Sequence, residues 1–94
     1  MESEIRIEQR LRAEVKKRGG MAVKFVSPGL DGVPDRLLLF HGGVSAFVEL
    51  KAPGKKLRPL QERRKRQLEA LGFKVYKVDN SAMIGGILDE IQSS

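Results

Sequence analysis

The sequence predicts an α/β domain, a mixed four-stranded sheet flanked by helices. Three observations carry this expectation. Apolar residues recur at helical spacing in three stretches and alternate or run on in four others, giving the order helix, three strands, helix, strand, helix. The second and third strands, 36–40 and 44–50, are apolar on both faces, so both sides of the sheet need cover. The chain has 94 residues, 40% apolar and 32% charged, enough for one hydrophobic core and too few for two. Residues 1–94 therefore read as one domain, with no repeat and no linker.

The first helix is expected from Ser3 to Arg18. Ile7, Leu11 and Val15 recur at i, i+4 and i+8 with Ile5 beside them, and the Ser3 hydroxyl can cap the helix start. Gly19-Gly20 ends it, because glycine takes the left-handed C-cap conformation at little cost. A strand over Met21–Val26 follows, then a loop, 27–34, with two glycines and two prolines that delivers the chain to Asp35. Strands Arg36–Phe40 and Val44–Leu50 form an antiparallel hairpin about His41-Gly42-Gly43. After a basic loop, Pro59 sits where a helix start tolerates proline, and Leu60, Leu68 and Leu71 mark a second helix that stops before Gly72. Phe73–Val78 alternates into a fourth strand. Asp79-Asn80-Ser81 caps a last helix with the stripe Ile84, Ile87, Leu88 and Ile91, and Gly85-Gly86 within it is explicable by close packing against another backbone.

Composition removes whole classes of chemistry. There is no cysteine, so disulfides and thiolate metal sites are excluded, and a reducing cytosol fits. His41 is the only histidine and adjoins Gly42, which makes it a turn residue and leaves no material for a histidine zinc site or a Ser-His-Asp triad. The glycine pairs lack the spacing and lysine of a phosphate-binding loop. Met1-Glu2-Ser3-Glu4 is acidic where a signal peptide is basic, and no apolar run approaches the roughly 18 residues of a membrane span. A cytoplasmic protein without a membrane partner is expected. The net charge of +6 is concentrated between Lys55 and Arg66, where Lys55, Lys56, Arg58, Arg63, Arg64, Lys65 and Arg66 face only Glu62. A basic run of this kind is a solvated helix face or a contact for a polyanion.

The stretch Pro34–Lys51 decides between these. Alternation along Ala46–Lys51 puts Glu49 and Lys51 on one face, with Leu50 on the other. Charges at the end of an apolar strand are costly to bury, and a carboxylate and ammonium beside a second carboxylate, Asp35, suit oxygen ligation of a hard divalent cation. That is chemistry suited to phosphodiester hydrolysis. It also sets the hairpin register. A two-residue turn at Gly42-Gly43 puts Asp35 opposite Leu50, on the wrong face for Glu49. A three-residue loop with Gly43 left-handed pairs Phe40 with Val44 and Asp35 with Glu49, and this is expected.

With the element order in place, Pro34-Asp35 opening one strand and Glu49-Leu50-Lys51 ending the next resemble the PD-(D/E)xK nuclease superfamily. More narrowly, Gly32-Val33-Pro34-Asp35, Glu49-Leu50-Lys51-Ala52-Pro53-Gly54, Leu57-Arg58-Pro59-Leu60-Gln61 and Gly72-Phe73-Lys74-Val75-Tyr76 resemble the VRR-NUC (virus-type replication-repair nuclease) family over nearly the whole chain. The resemblance implies a restriction-endonuclease-like αβββαβ core and a metal-dependent DNA endonuclease. It implies Asp35, Glu49 and the Leu50 carbonyl as ligands of Mg²⁺ or Mn²⁺, with Glu8 at a further acidic position near the metal. Lys51 would orient the attacking water or stabilise charge on the phosphate, and Gln61 would hold the metal water or a substrate phosphate. Lys55, Lys56, Arg58, Arg63, Arg64 and Arg66 would contact DNA. Small relatives act as homodimers on branched DNA such as Holliday junctions, and Leu30, Val33, Met83 and Ile84 are the apolar residues expected to be shared.

Two other readings stand beside this one. The chain could be a basic nucleic-acid-binding module that keeps the fold without cutting, although a carboxylate pair that repels phosphate has no use there. Alternatively, Asp35 and Glu49 could serve only as structural partners for Lys51 and Arg36. Glu8 as an exposed helix glutamate and Gln61 as a surface amide are the corresponding bland assignments.

Overall fold

The order of elements along the chain is the expected one. A computed structural model describes residues 2–93; Met1 and Ser94, the outermost residues of the expected 1–94 domain, lie outside them. The elements are α1 (Glu4–Lys17), β1 (Met21–Lys24), β2 (Arg36–Leu39), β3 (Ser45–Leu50), α2 (Pro59–Ala70), β4 (Val75–Val78) and α3 (Ile84–Gln92), with single 3₁₀ turns at His41–Gly43 and Ser81–Met83. The sheet runs β1-β2-β3-β4, antiparallel across β1–β2 and β2–β3 and parallel across β3–β4. Helix α2 is thus the crossover that a parallel pair requires.

The ends of α1 are built as the sequence suggests. Ser3 Oγ accepts from Arg6 N–H at 3.2 Å. At the other end Gly19 has φ +80°, Gly20 N–H donates to Val15 O and Gly19 N–H to Lys16 O. This pair of bonds is a Schellman motif, which satisfies carbonyls the helix would otherwise leave bare. Ile7, Leu11 and Val15 are fully buried, whereas Ile5 is 67% exposed and lies off the stripe.

The core lies on one face of the sheet. Leu38, Phe40, Ala46, Val48, Leu50 and Val78 meet α1 and the α3 stripe Ile84, Ile87, Leu88 and Ile91. Helix α3 is entered through the 3₁₀ turn, where Asn80 Oδ1 accepts from Ala82 N–H at 2.8 Å. Gly85 and Gly86 stay helical, and a Cβ at either would meet open space, so close approach of another backbone is not the reason for them. Arg18 ties the two helices together, donating to Asp89 at 2.7 Å and Gln92 at 3.1 Å.

The opposite face is covered differently. Phe47 packs edge-on between Phe25 (5.4 Å between centroids) and Phe73 (5.7 Å). The leucines that mark α2 in the sequence do little to bury it: Leu60 is 40% exposed and Leu71, just past the helix, 74%, and the buried residue of the helix is Gln61. Strands β1 and β4 are shorter than expected, although one further backbone bond continues each pairing, Phe25 N–H to Asp35 O and Phe47 N–H to Lys74 O.

Candidate active site

The tip of the β2–β3 hairpin fixes the geometry at its far end. His41–Gly43 forms the three-residue connection, Gly43 and also Gly42 have positive φ (+74° and +78°), and Phe40 N–H donates to Val44 O at 2.8 Å. The register Arg36↔Val48, Leu37↔Phe47, Leu38↔Ala46 continues to Asp35 opposite Glu49, as expected for that loop. Because Phe40 and Val44 form a hydrogen-bonded pair, alternation makes Asp35 and Glu49 a non-hydrogen-bonded one, the kind that brings facing side chains closest.

The two carboxylates are held differently. Asp35 Oδ2 accepts from Leu50 N–H at 3.0 Å, which pins it across the strand gap. Glu49 is 5% exposed; its Oε2 accepts from Gln61 Nε2 at 3.1 Å and lies 3.9 Å from Lys51 Nζ, while its Oε1 is buried with no partner. Burial, and then the Asp35 carboxyl within hydrogen-bonding reach, push the Glu49 acid up to about 8, against the opposing pull of Lys51 and Arg58. A buried acid with one oxygen unsatisfied, next to a second carboxylate and a lysine, is a configuration that a divalent cation relieves on every count. The residues present therefore fit a Mg²⁺ or Mn²⁺ ion. Among the described residues no three His, Cys, Asp or Glu side chains converge on one point, so such an ion would also need main-chain oxygen and solvent.

Gln61 is positioned by the start of α2. Pro59 sits in the first turn, and Gln61 Oε1, three residues past the N-cap, accepts from Arg58 N–H at 2.9 Å. This is half of a capping box, since an arginine N-cap carries no acceptor to reciprocate. With its oxygen so used, the amide nitrogen is aimed at Glu49. Gln61 is thus a buried partner of a carboxylate, not a surface amide.

Glu8 borders the same place from the other side. It lines a small cleft with Asp35, Arg36 and Leu50, but its Oε1 accepts from Arg36 Nη2 at 2.7 Å and lies 3.7 Å from Arg12. Arg36 follows Asp35 in an extended strand and so projects to the α1 face. The reading in which Arg36 neutralises Asp35 or Glu49 is accordingly overturned: its carboxylate is Glu8. Alternation could have placed Arg36 on the face away from Asp35 and Glu49, though not named its partner.

The basic window is less uniform than its composition. Lys55, Lys56, Arg58, Arg63 and Arg66 are exposed, and Lys65 pairs with Glu69 at 2.9 Å. Arg64 turns inward, its Nε donating to Asp31 O at 2.7 Å and Nη1 to Gln67 at 3.0 Å. Lys77, which the sequence did not single out, stands beside Glu49 in the parallel register and reaches Lys55 O and Asp79. Of the apolar residues expected to be shared between copies, Ile84 is core and Met83 packs against it. Leu30 and Val33 line a groove with Leu68 and Leu71.

Comparison with known proteins bears on the fold and the family. No family model matches the chain. The protein named "Putative nuclease p44" of Acyrthosiphon pisum secondary endosymbiont phage 1 is 53% identical over 74 residues, covering 79% of this chain and 80% of that one. A solved structure described as a VRR_NUC domain superposes with a TM-score of 0.85 at 26% identity, over 92% of this chain and 94% of the other. Such identity over most of a nuclease-named relative, on a VRR-NUC fold, makes the chain a member of the VRR-NUC family within the PD-(D/E)xK nuclease superfamily.

Proposed function

We propose that the chain is a metal-dependent DNA endonuclease that hydrolyses phosphodiester bonds in branched DNA such as Holliday junctions, working as a homodimer. The observation that carries this is Glu49, a buried acid with an unpartnered oxygen facing Asp35 and flanked by Lys51. Mg²⁺ or Mn²⁺, held by Asp35, Glu49 and the Leu50 main-chain oxygen, would supply charge to the phosphate oxygens and acidify water. Lys51 orients the attacking water and places positive charge where negative charge develops on the phosphate. Gln61 fixes the Glu49 rotamer, so the carboxylate does not reorient during the reaction. The exposed Lys55, Lys56, Arg58, Arg63 and Arg66 beside the site bind the DNA backbone without reading sequence.

Branched DNA and dimerisation go together in this proposal. Resolving a four-way junction needs two cuts in strands of like polarity, and a two-fold dimer presents two equivalent sites. Incubation with labelled duplex, flap, nicked and four-way DNA, with and without Mn²⁺, tests the activity, and light scattering with and without junction DNA tests the assembly. Paired Mn²⁺-dependent cuts in the junction by a species of dimeric mass are expected. Binding without cutting under every condition would favour the non-catalytic module, and monomeric mass throughout would remove the junction assignment.

A further inference from the structure

Arg64 lies in the most basic stretch of the chain, yet its guanidinium is spent on the protein itself. Its Nε donates to the Asp31 main-chain oxygen at 2.7 Å, and Gln67 one turn later holds Nη1 at 3.0 Å. Next to Asp31, Gly32 has φ +82° and lies so close to α2 that a Cβ there would sit 2.7 Å from Leu60 Cγ and 3.0 Å from Leu60 O. Pro34 is buried, and Asp35 follows it. The loop that delivers Asp35 is therefore docked on the first two turns of α2, and that first turn carries Gln61 to Glu49 at 3.1 Å. Asp35 lies just before β2 and Glu49 within β3, yet the two carboxylates share one support.

We propose that Arg64 is a positioning residue that, with Gly32 seated on Leu60, clamps the 31–35 loop to α2 and so sets Asp35 against Glu49 for the cation, and that it does not contact DNA phosphate. Lysine would not replace it, because one ammonium cannot fill both Asp31 O and Gln67 in a fixed fork. The clamp also explains why Gly32 precedes Val33-Pro34-Asp35: any side chain there is strained by the positive φ and collides with α2. Groups bonded directly to a metal's ligands typically change its affinity about 10–100-fold when lost. Arg64 acts on Asp35 through the loop, so the lower end of that range is its upper bound.

The proposal rests on the metal-dependent reading above, and its test keeps the two separable. Arg64→Ala, Gly32→Ala and, for comparison, Arg63→Ala are measured in three ways: Mn²⁺ binding by calorimetry without DNA, amide exchange of residues 27–35, and the salt dependence of duplex binding without divalent cation. Arg64→Ala is expected to weaken Mn²⁺ by up to about 10-fold and to speed exchange in the loop, with the salt slope unchanged. Gly32→Ala should do the same with no change of charge, which a role in phosphate contact could not explain. Arg63→Ala should instead lower the salt slope by about one and leave Mn²⁺ affinity alone. Parent-like loop exchange in Arg64→Ala with a salt slope lower by about one overturns the proposal and returns Arg64 to the DNA-binding face. If the parent itself binds no Mn²⁺, the metal-dependent reading fails, while loop exchange and salt slope still decide whether Arg64 clamps the loop. If Gly32→Ala does not fold, the Arg64 and Arg63 comparison is sufficient.

Discussion

The two faces of the sheet have the same backbone and opposite characters. On the α1/α3 face, Ile7, Leu11, Val15, Leu38, Val48, Leu88 and Ile91 are fully buried among apolar neighbours. On the α2 face, a buried Phe47 meets a half-buried Phe25 and an exposed Phe73 edge-on, leucines are left in solvent, and the deepest residues of the site are an acid and an amide. Burying Glu49 there with one oxygen unpartnered costs stability that the other face must offset. The difference suggests a division of labour within one small domain: a conventional core holds the sheet rigid, and the face across from it can then carry groups that are individually unfavourable.

The largest expected effect lies on the α2 face and concerns activity. Glu49→Ala and Lys51→Ala should each lower cleavage by about 10³-fold, equivalent to about 4 kcal/mol of transition-state stabilisation, with DNA affinity changed by no more than about 2-fold. Single-turnover cleavage and filter binding on the same preparations check both halves, and near-parent cutting by either variant would place the chemistry elsewhere. Next in size is the α1/α3 face, where Leu11→Ala or Leu88→Ala should cost about 2–5 kcal/mol in urea unfolding. A cost below about 1 kcal/mol at both positions would mean that this face is not the dominant core.

A third effect is a pH dependence that only the α2 face should show. Folded, Glu49 titrates near 8, and in the unfolded chain near the ordinary 4.5. Its burial is therefore tolerated fully below about pH 4.5, and the stability it contributes in the protonated form is lost as pH rises through about 8. In chelator, the melting temperature should fall from pH 5 to pH 8 by roughly 10 °C or more beyond the fall in Glu49→Gln, where the titration is absent. An identical fall in both proteins would show that Glu49 is not the group responsible. Smallest of all, Leu71→Ala should change stability by less than about 0.5 kcal/mol despite removing a leucine, since that side chain is 74% exposed.

How far the sequence carried also divides along these faces. The α1 and α3 stripes were legible, because a wide apolar stripe at helical period has one place to go. The register of the hairpin was legible as well, from the need to put Asp35 and Glu49 on one face, and Gly42-Gly43 supplied the turn. What α2 does was not legible. Leu60, Leu68 and Leu71 look like a core stripe, but the helix is a crossover whose best-buried residue is polar. Its apolar positions line a groove beside the 27–34 loop, and no periodicity in the helix reports what a distant loop does. For the same reason Arg64 reads as one more cation in a basic run, when its partner is a main-chain oxygen 33 residues away.

The pairing of α1 with α3 also sets an order of events during synthesis. Glu2 accepts from Ser81 N–H across 79 positions, and Arg18 reaches Asp89 across 71, so the first helix is completed by nearly the last described residues of the chain. The β1–β2–β3 meander is local and can pair as it emerges, bringing Asp35 and Glu49 together early. Their side of the sheet then waits on α2, and the other side waits on α3. A ribosome-bound chain that stops before residue 84 would therefore display a paired meander with the apolar side of α1 covered by the sheet alone and the α3 share of the core still open. It would become resistant to protease only when the α3 stripe has cleared the exit tunnel.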